Sequence, residues 1–276
     1  MSAVITFTTD FGLSDVYVAS MKGVALGINP QAVLIDICHT IQPQNITQAA
    51  FFLSTAYEYF PPRTVHVVVV DPGVGSERRP VILRTPHADF VAPDNGVLSY
   101  IIRRYSAVQA DGDKFRLEPG GNLEALTITR PEYWRKPVSA TFHGRDIFAP
   151  VAAYLTLGRP PSDFGEPLGS LVSLPAAGPE RLPDGNIVGH VLHIDNFGNL
   201  ITDIKRGDLS EETPGPVIEI GGQSINGISL TYETGKDLVA LFGSSGYLEI
   251  ARPNGSARAL LGASAGDKVS FRRSRQ

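Results

Sequence analysis

The chain has 276 residues, 42% of them hydrophobic and 19% charged, with 28 glycines, 21 prolines and one cysteine. That balance excludes a disordered chain, and a lone cysteine excludes both a disulfide framework and a cysteine-rich zinc module. A net charge of −4 gives no electrostatic basis for gripping a phosphate backbone, so no nucleic-acid partner is expected.

The amino terminus, Met1-Ser-Ala-Val-Ile-Thr-Phe-Thr-Thr-Asp10, lacks a basic leader and meets an acid too early for a secretory core. No apolar run reaches membrane-spanning length. A cytoplasmic protein with no membrane partner is expected. Short apolar or β-branched runs at Val4–Thr9, Val33–Ile37 and Val65–Val70 read as strands. The helical spacing of apolar residues in Asp15–Gly27 and Asn45–Phe60 reads as helices between them. This alternation predicts a mostly parallel sheet covered by helices on both faces. Pro80–Arg84 and Asp89–Ala92 extend that sheet, at its edge. Asp146–Leu157 reads as a helix stopped by Gly158 and the Pro160–Pro161 pair. Prolines then crowd a connection over residues 161–185. Beyond it, Ile187–Ile194, Val217–Ile220, Leu238–Phe242, Tyr247–Ile250, Ala257–Leu261 and Lys268–Arg272 are short, β-like and separated by turn residues. The expected architecture is an α/β domain over 1–160 and a smaller all-β, barrel-like domain over 186–276.

Three segments carry candidate chemistry. In Val65-His-Val-Val-Val-Val-Asp71-Pro-Gly-Val-Gly75-Ser-Glu-Arg78 a buried strand ends in a carboxylate and enters a glycine turn. Open α/β sheets bind ligands beyond the carboxyl ends of their strands, which is where Asp71 and Asp10 fall. Capping of a loop or helix start is the alternative role for either acid, and Gly73 and Gly75 fit a plain tight turn as well as a close approach to a ligand. The turn lacks the lysine of a phosphate loop and the third glycine of a dinucleotide fingerprint. In Phe142-His143-Gly144-Arg145-Asp146, His143 reads as a loop residue and Asp146 as a first-turn acid of the following helix. Asp195-Asn-Phe197-Gly198-Asn199 reads as a turn between strands, although an aromatic ring beside amide and carboxylate groups also suits a base pocket. Gly243-Ser244-Ser245-Gly246-Tyr247 is equally a hairpin turn or a polar contact loop. No His-Glu-x-x-His is present, and His190 and His193 stand at odd spacing on a strand, so no metal site is expected.

Taken in order, Thr8-Thr-Asp10-Phe-Gly12, Asp36-Ile-Cys-His39, Asp71-Pro-Gly-Val-Gly75 with Arg78, Phe142-His-Gly-Arg-Asp146, Asp195-Asn-Phe-Gly-Asn199 and Ser244-Ser-Gly-Tyr247 resemble the S-adenosylmethionine (SAM) hydroxide adenosyltransferases. These SAM hydrolases are relatives of SAM-dependent fluorinating and chlorinating enzymes. The resemblance implies a homotrimer with sites at subunit interfaces. It implies a catalytic triad of Asp71, Arg78 and His143, with Asp10 on the ribose hydroxyls and Phe142 and Gly144 among the substrate-binding residues. Phe197, Asn199 and Tyr232 would line the adenine pocket and Asp195 and Ser244 the methionine end, with Ser245 and Tyr247 as further substrate-binding residues. Halide-using relatives carry tyrosine at the position of Asp71 and serine at that of Gly144. They also carry arginine at Ser245 and one more residue in the Asp195–Phe197 segment. With an acid at Asp71 and no hydroxyl at Gly144, this chain looks like the hydroxide-transferring branch.

The reaction so implied is attack of water or hydroxide on the ribose 5′ carbon of SAM, giving adenosine and L-methionine. SAM is then a substrate and no cofactor is required. Three other readings stay open on the residues alone: a metal-dependent phosphoester hydrolase, a non-catalytic sensor of SAM or adenosine, and a slow SAM-dependent halogenase.

Overall fold

A computed structural model describes residues 3–105, 111–118, 121–175, 178–209, 215–234 and 237–272. It divides into two units, Met1–Pro175 and Ala176–Gln276.

The first unit is built on β1 (Val4–Thr9), β2 (Val33–Cys38), β3 (Val65–Val69), β4 (Pro80–Arg84), β5 (Asp89–Pro93), β6 (Lys114–Arg116), β7 (Glu124–Thr127) and β8 (Ser170–Val172). Six of these form one sheet in the order β2-β1-β3-β5-β4-β7. β1 is parallel to β2 and β3, β3 is parallel to β5, and β4 runs antiparallel to both β5 and β7. The expected edge pair therefore lies inside the sheet, and β7, whose short mixed sequence hid it, forms the edge. β6 and β8 pair separately.

The continuous valines of β3 explain its place. Val65, Val67 and Val69 face one apolar cluster with Ile5, Phe7, Met21 and Phe148, while Val68 and Val70 face a second with Leu53, Phe90 and Ile101. A strand buried on both faces must be apolar at every position, and the helices supply the two covers. α1 (Tyr17–Ile28) and α4 (Ala149–Thr156) serve the first, and α2 (Ile46–Ala56) and α3 (Ser99–Tyr105) the second. Each fully buried Phe or Leu in these layers contributes about 1.5–3 kcal/mol relative to exposure. Asn29 and Pro30 stop α1, and the Asn45 side chain caps α2 by accepting the Gln48 N–H. β2, by contrast, is an exposed edge, with Val33 and Ile35 partly in solvent.

The second unit comprises β9 (Glu180–Arg181), β10 (Ile187–Ile194), β11 (Leu200–Lys205), β12 (Val217–Ile220), β13 (Gln223–Asn226), β14 (Val239–Phe242), β15 (Tyr247–Ala251), α5 (Ala257–Leu261) and β16 (Lys268–Arg272). Its antiparallel strands run β13-β12-β16-β10-β11-β15-β14 around a core of Val191, Ile204, Ile218, Leu248 and Val269, a barrel-like β fold. The β-like reading of Ala257–Leu261 is corrected, because this segment is the short helix α5. Ser256 caps it by accepting the Ala259 N–H, and Gly262 closes it at φ 63°. A Ser-(Ala/Arg/Leu)-Gly run carries helix start, helix formers and helix stop, and these outweigh five apolar-leaning residues. Among the described residues no helix is long and apolar enough to cross a membrane.

Candidate active site

β3 delivers Asp71 to the carboxyl edge of the sheet. The turn after it folds back on itself: Val74 N–H donates to Asp71 O (3.2 Å), and both Ser76 N–H and Ser76 Oγ–H donate to Gly73 O (3.1 and 2.6 Å). This brings Arg78 against the carboxylate that opened the turn. Arg78 Nε lies 2.9 Å from each Asp71 oxygen, and Nη2 donates to Oδ2 as well. Both side chains are nearly out of solvent, 9% and 5% exposed, so the pair is held in a low-dielectric setting where charge-assisted bonds are strong. The guanidinium also lies over the Phe148 ring, 5.2 Å from its centroid.

Gly75 makes the close approach that the glycine-rich sequence suggested, but to the chain itself. It sits at φ +79°, and a Cβ there would stand 2.6 Å from Ala140 O. The turn is thereby seated on the loop that leads into His143. His143 opens a helical segment rather than lying in a loop. Gly144–Phe148 forms a π-helical turn, with Ala149 N–H reaching back to Gly144 O, and α4 continues from it. Asp146 is fully buried in that turn. Its carboxylate takes Arg145 Nε and Nη2 (2.7 and 2.8 Å) and Ser139 N–H (2.9 Å), so it straps the preceding loop to the helix start. Those contacts, with Arg135, outweigh the upward push of burial and hold its carboxyl below the usual range.

Arg78 Nη2 stands 2.8 Å from His143 Nδ1. A guanidinium only donates, so Nδ1 is the acceptor, and a neutral His143 carries its hydrogen on Nε2. Burial first, and then the Arg78 charge, keep the imidazole pKa below the ordinary histidine value. The ring is therefore neutral near pH 7 with one free donor. Of the three expected catalytic side chains, only Asp71 then offers lone pairs not already committed to Arg78.

Asp10 follows β1, and its Oδ2 accepts the Gln44 N–H (2.8 Å). Beside it, Gly12 N–H donates to His39 O (2.7 Å), and the buried His39 ring joins Thr9 Oγ1 (2.9 Å) to Asp36 (2.8 Å), which also holds Lys22 (2.6 Å). Hydrogen bonds from Lys22 and His39 outweigh burial and keep the Asp36 carboxyl low. Phe142 packs edge-on against Phe11 and Tyr17 at 5.9 and 5.3 Å, and Arg145 stacks on it at 4.9 Å. Gly144 is buried, and a Cβ there would stand 3.1 Å from Met21 Sδ.

In the second unit, Asp195 organises its own turn. Its Oδ1 accepts the N–H of Phe197 and of Asn199 (2.9 and 2.8 Å), and its Oδ2 accepts Asn199 Nδ2 (2.9 Å). Phe197 is left 75% exposed at the tip. Gly198, at φ +84°, is pressed so close to α5 that a Cβ would lie 2.0 Å from Ser256 Oγ, and Arg258 N–H donates to Gly198 O (2.9 Å). Tyr232 donates to Glu249 Oε2 (2.8 Å). Burial, then Glu249 and, more weakly, Asp195 push the phenol up to about 12. Ser244 and Ser245 are exposed on the turn closed by Gly243 N–H to Tyr247 O (3.0 Å), and Tyr247 is buried with Lys205 Nζ 5.2 Å from its ring centre.

Within each unit, then, Asp71, Arg78 and His143 share direct contacts, as do Asp195 and Asn199. Asp10 stands apart from the triad with no hydrogen bond to it. Glu249 was missed, although an acid inside Tyr-Leu-Glu-Ile-Ala, an otherwise apolar strand, is itself a signal that something polar must be held there. Among the described residues no group of three or more His, Cys, Asp or Glu side chains is placed to hold a metal ion.

Comparison with known proteins bears on this arrangement. Residues 5–165 match the SAM hydroxide adenosyltransferase N-terminal domain and residues 189–270 the corresponding C-terminal domain. The chain is 37% identical over 277 residues to an (R)-S-adenosyl-L-methionine hydrolase of Thermus thermophilus, covering 96% of this chain and 98% of that one. It is 30% identical over 234 residues to a fluorinase of Nocardia brasiliensis, with 75% and 73% covered. A conserved Thermotoga maritima protein of uncharacterised function has a crystal structure that superposes with a TM-score of 0.85 at 34% identity, covering 98% of this chain and all of that one.

Proposed function

Because the chain belongs to the SAM hydroxide adenosyltransferase family, we propose that it hydrolyses S-adenosyl-L-methionine to adenosine and L-methionine, with Asp71, Arg78 and His143 as its catalytic residues. The observation that carries the assignment of roles is the single guanidinium gripping both Asp71 and His143 Nδ1.

The leaving group is a sulfonium, which departs as a neutral thioether and needs no general acid. The demand falls on the nucleophile. Water placed opposite the sulfur attacks the 5′ carbon while the C–S electron pair returns to sulfur. The oxygen then carries an excess proton, which the free lone pairs of Asp71 accept. His143 Nε2–H donates to the water and fixes its orientation. Arg78 holds both groups to one geometry, so that acceptor and donor meet the same water. Asp10 binds the ribose hydroxyls, with Phe142 and the backbone of Gly144 against the sugar. Phe197, Asn199 and Tyr232 hold adenine, and Asp195, Ser244, Ser245 and Tyr247 hold the methionine part.

We further place the working enzyme as a cytoplasmic homotrimer whose sites draw on neighbouring subunits. Exposed apolar side chains in each unit support an interface, namely Leu13, Val16 and Tyr17 in the first and Phe197 and Tyr232 in the second. Light scattering and cell fractionation test these two statements.

The test of the reaction is incubation with SAM and EDTA in ¹⁸O water, with product analysis by mass. Adenosine labelled at the 5′ oxygen together with free methionine is expected, and turnover should fall by about 10²-fold or more in Asp71→Asn. No adenosine, or turnover lost to EDTA and restored by a divalent ion, would overturn the reading.

A further inference from the structure

Asp71 sits one residue beyond Val70, and β3 ends before both. The ladder to β1 closes at Thr9–Val69 and that to β5 at Val67–Val91. The neighbouring strand ends in Pro93, which has no N–H to offer. The Val70 carbonyl, fully buried and immediately before the catalytic acid, is met by a side chain: Asn95 Nδ2 donates to it at 2.9 Å. Asn95 is itself held at three points. Its Oδ1 accepts Val97 N–H (3.2 Å), its own N–H donates to Pro93 O (3.0 Å), and its chain neighbour Asp94 is locked in place. Asp94 Oδ2 takes Arg79 Nε (3.0 Å) and Nη2, its Oδ1 takes Val172 N–H (2.8 Å), and its N–H donates to Arg79 O (2.8 Å).

These contacts close a ring. Asp71 binds Arg78, Arg79 follows Arg78 and binds Asp94, and Asn95 follows Asp94 and binds the carbonyl that precedes Asp71. Two consecutive arginines therefore clamp two separate stretches of backbone, at Asp71 and at Asp94, and the loop from Asp71 to Arg78 cannot shift along the sheet without breaking the second clamp. We propose that Asn95 is a positioning residue for the reaction: through Val70 it fixes the height and rotation of the Asp71 carboxylate, and the Arg79–Asp94 pair holds Asn95 to that task. This rests on Asp71 as the proton acceptor. It adds residues that touch neither substrate nor reacting atoms.

The test is Asn95→Asp, which keeps the size and the acceptor for Val97 N–H but turns an oxygen toward the Val70 carbonyl. Steady-state hydrolysis of SAM is measured per folded site, counted by near-ultraviolet circular dichroism, for this variant, for Asp71→Asn and for the pair combined. Displacement of the acid should lower kcat by about 10- to 10²-fold with KM within about threefold. In the Asp71→Asn background the second change should have no further effect, within about twofold. Asp94→Asn, which weakens the Arg79 clamp while keeping an acceptor for Val172, supplies a second variant if Asn95→Asp does not fold. It should show a smaller loss and the same lack of additivity. An undiminished kcat in Asn95→Asp alongside an impaired Asp71→Asn overturns the proposal while leaving the role of Asp71 intact. So does a loss that multiplies upon that of Asp71→Asn. An Asp71→Asn protein as fast as the parent overturns the reading on which the proposal stands.

Discussion

Arg78→Lys tests whether the geometry of the triad, rather than its charge, sets the rate. Arginine makes four contacts here, three to Asp71 and one to His143 Nδ1. A lysine at the same Cα has one nitrogen, and its stem ends near the position of Nε, short of Nη2. It keeps the positive charge and one bond to Asp71, and it loses the reach to His143 and the second grip on the carboxylate. Charge-assisted bonds are worth about 1.5–3 kcal/mol each. Losing two of them in orienting the acid and the donor makes roughly 3 kcal/mol a reasonable cost at the transition state, a factor of about 10² in kcat. KM should move less than about threefold, because no contact to substrate is removed. The assay is adenosine release at saturating SAM. A second readout separates fork from charge. His143 should titrate, by NMR, still below the ordinary histidine value in Arg78→Lys. Its pKa should rise in Arg78→Gln, where the repelling cation is gone and the Asp71 charge is unmasked. A kcat within about threefold of the parent in Arg78→Lys, or an unmoved His143 in Arg78→Gln, would refute the reasoning.

The same geometry sets four further outcomes. Activity should fall as pH drops through the lowered His143 value, below about 6.5, because a proton on Nδ1 would face the Arg78 donor; a kcat that stays unchanged while His143 is seen by NMR to take up its proton would count against it. Gly75→Ala must meet both the +79° backbone and the Ala140 carbonyl 2.6 Å away, so a loss of about 2–3 kcal/mol in urea unfolding is expected, with kcat falling as the loop before His143 gives way. His66 is buried with its Nδ1 2.7 Å from Thr6 Oγ1, and burial lowers its pKa to about 3. The unfolded chain therefore binds the extra proton, and this contribution to stability is present above about pH 6.5 and lost toward pH 3 at up to about 1.4 kcal/mol per unit, a slope that His66→Phe should flatten. In Glu249→Gln, the Tyr232 phenol should titrate below its parent value of about 12 in ultraviolet absorbance, and KM should rise by about three- to tenfold with kcat little changed.

How much of this was legible in the sequence depended on whether a residue's role was local. β1, β3 and β4 were readable because their apolar runs are explained by burial, and β2 because its β-branched and apolar run suits a strand even at an exposed edge; their bounds came within a residue or so. β7, β6 and β8 were not, since three or four mixed residues owe their strand state to whichever neighbour pairs with them. α5 was misread because its apolar content was weighed above Ser256 and Gly262, the residues that define its ends. Among the site residues, Asp71 stood out as an acid closing a valine run. Its partner Arg78 drew attention only through the ordered motifs, because a seven-residue return through a glycine turn has no periodic signature. Asn95 and Asp94 were invisible for a different reason. Their partners, Val70 and Arg79, are supplied by the side-by-side order of β3, β5 and β4 in the sheet, which no spacing encodes.

The π-helical turn at Gly144–Phe148 bears on how one helix meets both the core and the site. An α-helix turns by 100° per residue, so a helix that grows or shrinks by one residue swings everything before it around the axis. A turn spanning five residues before its bond closes, as from Gly144 to Ala149, absorbs one surplus residue without disturbing the helix beyond it. The packing of α4 against α1 and the sheet is thereby uncoupled from the direction in which His143 faces. Deleting one residue within 144–148 should therefore leave a folded first unit whose imidazole is aimed away from Arg78. The wide turn is thus a rotational offset that gives one helix two bearings at once, one for the core and one for the chemistry.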